Sequence, residues 1–214
     1  MAAPSMNVLF VGAHHDDLEV SCGGSVKRWV EEGCNVFSAI LTDSTWTGPD
    51  GICFRDPQQA ESYCQKAASL LGYTPISLNY CPCFTLVYSD EKVADLLRII
   101  SQHRIDMLVT ISPSDAHRDH RAASEIALAA TRKIPRVLLT QVSWNSTPQV
   151  FTPRYFVDIT TQFEVKREAI RCYQDEYART GHLWERFIQA QGQLFGLEAG
   201  CDMAEGFEVV KLLH

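Results

Sequence analysis

Two short stretches of this chain crowd together side chains that bind metals and move protons. The first is Ala13-His14-His15-Asp16-Asp17-Leu18-Glu19 and the second is His117-Arg118-Asp119-His120. A loop so rich in imidazole and carboxylate is costly to desolvate unless the groups bind something. His14 and Asp17 are three positions apart, as are His117 and His120. On a turn that curls toward helix, that spacing points two side chains the same way, as a pair of metal ligands requires. Asp16 then points elsewhere, within reach of a proton on an attacking water. Asp119 is suited to orient one of the imidazoles. Two histidines and a carboxylate with an open fourth position are the donor set of a catalytic zinc, which brings the pKa of water to about 7 from about 15.7. Spacing alone does not choose between His117 and His120 as ligand. A lone HxxH or DD occurs often by chance; the conjunction of two clusters, each following a buried strand, is what points to a site.

The elements that must position these groups are legible around them. Asn7–Gly12 is an apolar run ending in glycine and reads as a buried parallel strand. Helical spacing follows over Ser25–Gly33, with Gly23-Gly24 as a tight turn that opens the helix and packs it closely on the sheet. The pattern then alternates: strand Asn35–Leu41, helix Gln58–Leu71 closed by Gly72, strand Ile76–Asn79, helix Asp90–Gln102, strand Asp106–Ile111, helix Arg118–Thr131 and strand Arg136–Thr140. This predicts βαβ units, a mostly parallel sheet and helices on both faces, a Rossmann-like three-layer α/β fold. Tyr155–Ile159 reads as an edge strand, Thr160–Tyr177 and Leu183–Phe195 as helices, and Phe207–Leu212 as a last strand. Thr42–Asp56 and Pro82–Ser89 read as loops after strands, at the end of the sheet where α/β ligands sit. No linker or repeat divides residues 1–214, so one domain is expected.

Composition narrows the function classes. The 214 residues are 46% hydrophobic and 21% charged, with a net charge of -7. An acidic chain without a basic stripe argues against nucleic acid and anionic membrane as partners. No apolar run approaches the ~20 residues of a membrane span. GxGxxG is absent, which removes support for dinucleotide binding. The eight cysteines are scattered without a CxxC, as expected for reduced thiols in a cytoplasmic protein. A homo-oligomer is compatible with all of this.

Ala13–Ser25, AHHDDLEVSCGGS, resembles the AHPDDxE…GG signature of the LmbE-like, or PIG-L, de-N-acetylases, and HRDHRAA at His117–Ala123 resembles their HPDH motif. AASLLG ending at Gly72, FVDIT at Phe156–Thr160 and AEGF at Ala204–Phe207 are similar to further family segments. The resemblance implies a zinc hydrolase of N-acetyl groups on N-acetylglucosamine-type sugars. It implies His14, Asp17 and His120 as metal ligands, Asp16 as general base, and His117 as oxyanion stabiliser held by Asp119. His15 and Arg118 stand where the family usually has proline, which removes two fixed φ angles at the turns. Arg55 and Trp46, in the loop before the second long helix, are weaker candidates for substrate contact, as is His182 from the C-terminal region. Fe2+ or another divalent metal suits the same donors; an Fe(II) oxygenase, an amidase on a sugar conjugate and a non-catalytic metal- or sugar-binding relative are the competing readings.

Overall fold

The computed structural model describes residues 6–145, 147–180 and 183–213. Its centre is a seven-stranded sheet in the order β5-β2-β1-β6-β7-β9-β8, where β1 is Asn7–Gly12, β2 Asn35–Ile40, β5 Thr74–Ser77, β6 Met107–Ile111, β7 Arg136–Thr140, β8 Tyr155–Asp158 and β9 Ala204–Leu212. The first five strands in that order run parallel; β9 is antiparallel to both β7 and β8. Every residue of β6, and all but the first of β1, is buried. Period-two alternation sends Val8 and Phe10 into one core and Leu9 and Val11 into the other. The first core is roofed by α1 (Asp17–Glu31), α2 (Pro57–Leu71) and α5 (Phe163–Arg171), and the second by α3 (Asp90–Gln102) and α4 (Arg118–Ala129). The expected three layers are therefore present.

Helix α1 starts at Asp17, eight positions before the sequence reading placed it. Its first turns lie wholly buried, from Asp17 to Val26, so no amphipathic stripe marks them. The helix is kinked at Cys22, which has φ -145°. The kink frees the N–H groups of Gly24 and Ser25, and both donate to the Glu205 carboxylate at 3.0 and 2.6 Å. Lys166 Nζ neutralises that carboxylate at 2.5 Å. A Cβ on Gly24 would meet the Ile159 side chain at 2.8 Å, so the glycine does serve close packing, but inside the helix and not as its opening turn.

Two further expectations are corrected. The stretch read as one helix over Thr160–Tyr177 is α5 followed by α6 (Gln174–Thr180). The chain breaks between them so that Tyr173 enters the core, where its hydroxyl donates to the His15 carbonyl at 2.6 Å. The predicted loop Thr42–Asp56 contains a small antiparallel hairpin, β3 (Trp46–Thr47) with β4 (Cys53–Arg55), turned by Gly48-Pro49-Asp50-Gly51 with Gly51 at φ 80°. The last helix, α7 (Leu183–Ala199), packs on β8 and β9. No described helix is long and apolar enough to cross a membrane.

Candidate active site

Strand order places the two motifs side by side. From β1 the chain crosses through α1 to β2 on one side; from β6 it crosses through α4 to β7 on the other. A crevice opens at such a switch point, beyond the carboxyl ends of the strands. Val11 pairs with Thr110, so Ala13–Asp17 and the segment after Ile111 leave the sheet as neighbours.

Asp17 is fixed by its own turn: Oδ2 accepts the N–H groups of Ala13 and His14 at 2.8 and 2.9 Å. Its Oδ1 lies 3.6 Å from His14 Nδ1 and 3.1 Å from His120 Nε2. His14 Nδ1 and His120 Nε2 are 3.2 Å apart. Ligands at about 2.0 Å from a tetrahedral ion are separated by about 3.3 Å, so this triangle fits a zinc-sized divalent cation. His117 and Asp16 also bring ligand-type atoms into the cluster, within 4.8 Å of partners that include His14.

Each imidazole of the triangle turns its other nitrogen to an aspartate. His14 Nε2 meets Asp119 Oδ2 at 3.1 Å, and His120 Nδ1 meets Asp115 Oδ1 at 2.9 Å. An N–H donated outward at each ring leaves the inward nitrogen with a free lone pair, the tautomer a ligand needs. Burial works against charge on these rings, but Asp17 and Asp119 outweigh it at His14 and hold its pKa well above the usual value. Asp17 and Asp115 do the same at His120, raised to about 9. Burial likewise opposes the Asp17 anion, yet His120 and His14 hold its pKa well below the usual range. The negative charge that favours protons here is of the sign that attracts a metal cation.

Asp119 does not hold His117, as the resemblance implied. Its carboxylate is spent on His14 and on the N–H groups of Phe84 and Leu86, at 2.5 and 3.2 Å. His117 instead caps α4, its Nδ1 accepting the Asp119 N–H at 3.2 Å. Burial and the neighbouring His14 and His120 lower its pKa to about 4.

His15 lies outside the cluster. It is buried, with Nδ1 2.7 Å from Ser44 Oγ and Nε2 3.3 Å from Glu61, and burial lowers its pKa. It is a structural imidazole that ties the first turn to the next loop and to α2. Arg118 is exposed at the start of α4.

The triangle floors a cavity of about 330 Å³ whose walls include Asp16, Arg55, Trp46 and His117. Trp46 stacks on Phe54 with centroids 4.4 Å apart, and the Arg179 guanidinium lies 5.0 Å from its ring centre. Arg55 bonds Asp16, Asp175 and Glu176. His182 lies outside the described residues.

The sequence reading missed Asp115, Asp175 and Glu176. Asp115 stands two residues before His117, where an acidic residue after a buried strand was a usable signal. Asp175 and Glu176 sit 120 and 121 positions from Arg55, and nothing local announces them.

A Rossmann-like α/β fold with a His/Asp cluster at its switch point defines the class. Residues 9–131, more than half the chain, match the family GlcNAc-PI de-N-acetylase (PIG-L), and the chain belongs to it. An Escherichia coli protein, the uncharacterized deacetylase YaiS, is 29% identical over 78% of this chain and 90% of its own length. The diacetylchitobiose deacetylase of Thermococcus kodakarensis is 25% identical, covering 95% of this chain and 82% of its own. The N,N'-diacetylchitobiose deacetylase structure from Pyrococcus horikoshii shares the fold with a TM-score of 0.81 at 24% identity, over 97% of this chain and 84% of that one. So does the 4-carboxy-2-hydroxymuconate hydratase of Pseudomonas putida, with a TM-score of 0.77 at 20% identity and 98% of both chains covered. Fold alone therefore does not decide the reaction.

Proposed function

We propose that this protein is a divalent-metal-dependent hydrolase that removes the N-acetyl group from an amino sugar or N-acetylglucosamine-type conjugate. The observation that carries the reading is the triangle of His14 Nδ1, Asp17 Oδ1 and His120 Nε2 at the floor of a cavity that also holds Asp16 and His117. Family membership supplies the reaction class.

His14, Asp17 and His120 would hold the metal, with zinc the expected ion. Once bound, it supplies Lewis-acid polarisation of the acetyl carbonyl and acidifies water. The chain's own residues do the rest. Asp16 lines the cavity with one oxygen on Arg55 and takes a proton from the attacking water. His117 is neutral near pH 7, and its Nδ1 is occupied as an acceptor. The ring proton therefore sits on Nε2, which donates to the oxygen that gains charge as water adds to the carbonyl. Asp16 returns its proton to the nitrogen as the C–N bond breaks, giving acetate and a free amine. Trp46, with Phe54 stacked on its ring and the Arg179 guanidinium over it, forms part of the cavity wall.

The test is acetate release from a panel of N-acetyl sugars, from N-acetylglucosamine to N,N'-diacetylchitobiose, with and without chelator. Acetate formation that stops on chelation and returns with added zinc is the expected result. A metal-loaded protein that releases none, or that consumes oxygen with Fe2+, would refute the proposal.

A further inference from the structure

We infer that Asp175, on α6, is a positioning residue for the reaction. It fixes the guanidinium of Arg55, and Arg55 in turn fixes the carboxylate of Asp16. The inference rests on the deacetylase reading for its catalytic consequence, and on geometry for the linkage itself.

Arg55 is only 3% exposed although it borders the cavity. Its Nε and Nη2 meet the two oxygens of Asp175 at 2.5 and 3.2 Å, a bidentate contact that sets the plane of the guanidinium. With that plane set, the two Nη1 donor directions are fixed as well, and one of them meets Asp16 Oδ2 at 3.0 Å. Nη2 also faces Glu176 Oε1 at 3.3 Å. Every nitrogen of the guanidinium is thus engaged by a protein carboxylate. The sequence reading had offered Arg55 as a substrate contact; in this arrangement three of its donors serve Asp16 and Asp175.

The consequence concerns Asp16, whose side chain is 12% exposed. A carboxylate at a cavity wall has rotamer freedom unless one oxygen is tied. The Arg55 bond ties Oδ2 and leaves Oδ1 as the oxygen free to receive a proton. Asp175 therefore reaches the reacting centre through one arginine, while Glu176 and Arg179 of the same helix line the cavity. Misplacing a reacting group by about 1 Å costs up to about 100-fold in rate, so a loosened Asp16 is expected to show in kcat.

The experiment compares wild type with Asp175→Asn, Asp175→Glu, Arg55→Ala and the double variant Arg55→Ala/Asp175→Asn. It measures kcat and KM for acetate release and solves crystal structures of wild type and Asp175→Asn. The isosteric Asn keeps volume but can accept from only one of the two donors. The expected result is a loss of about tenfold or more in kcat with KM within about threefold. Partial recovery is expected in Asp175→Glu, and a double variant no worse than Arg55→Ala alone. In the crystal, Asp16 turns away from Arg55 or takes more than one orientation. Unchanged kcat, or a raised KM with kcat intact, would overturn the inference, the latter by making Arg55 a substrate contact. An Asp16–Arg55 bond that survives unaltered in crystalline Asp175→Asn would also overturn it. If wild type releases no acetate from any N-acetyl sugar, the deacetylase reading fails, and the crystal comparison still decides the linkage.

Discussion

His14 Nδ1 and His120 Nε2 lie 3.2 Å apart, although the residues are separated by 106 positions in the chain. Two imidazole nitrogens meet so closely only when a proton or a cation sits between them, and the Asp17 carboxylate closes the third side. What holds this meeting in place is as open to test as the meeting itself.

Asp115 is the outer support of His120. Besides the imidazole it accepts the Ser143 hydroxyl at 2.6 Å and the backbone N–H groups of Ser143 and His117 at 3.0 and 2.9 Å. Asp115→Ala is expected to weaken zinc affinity by about 10- to 100-fold, the usual effect of removing such a partner. Competition against a chelating dye reads this directly.

Asp119 joins the inner cluster to the loop over it. Phe84 sits in that loop with φ 67°, a strained conformation for a large side chain, and its N–H is one of the Asp119 donors. Asp119→Ala releases His14 Nε2 and both loop N–H groups together. Hydrogen exchange is expected to show Phe84 and Leu86 losing protection in the variant while β1 and β6 keep theirs.

Gly24 has no room for a methyl group. A Cβ there meets Ile159 at 2.8 to 2.9 Å, and the N–H must still reach Glu205. Gly24→Ala is expected to cost about 1–3 kcal/mol in stability, measured by urea unfolding. Gly33→Ala is a control of another kind: nothing lies near its Cβ, but φ is 91°, so its cost comes from backbone strain alone.

Glu185 links the start of α7 to α5. Arg171 meets it at 2.5 Å and Arg167 at 3.4 Å, and the Arg171 bond lowers its pKa. A depressed carboxylate stabilises the fold above its unfolded pKa of about 4.3, and that contribution is lost as pH falls through the folded value. Arg171 is partly exposed, so the effect is expected to stay under about 1 kcal/mol. Glu185→Gln should be less stable than wild type at pH 7 and equal to it at strongly acidic pH, as unfolding curves across pH would show.

Much of this was legible in the chain. The buried strands announced themselves as continuous apolar runs, and α3 runs over Asp90–Gln102 as expected, burying Leu96 and Ile99. The start of α1 was hidden because its polar residues are buried too, serving the site and Glu205 instead of solvent. The break at Tyr173 was hidden because its cause, the His15 carbonyl, lies 158 positions away. At the site, residue types and spacing picked out His14, Asp17, His117 and His120. Partnerships were harder: spacing left open which imidazole Asp119 orients and the family resemblance implied His117, whereas it serves His14 across 105 positions.

Metal content tests the central claim most directly. Purified wild type, Asp16→Asn and His120→Ala should be loaded with zinc, dialysed and assayed by plasma emission alongside acetate release. Wild type is expected to hold about one zinc per chain and turn over. Asp16→Asn should keep the zinc and lose turnover by about 100-fold or more, and His120→Ala should lose both. Full zinc occupancy with normal rates in either variant would contradict the account.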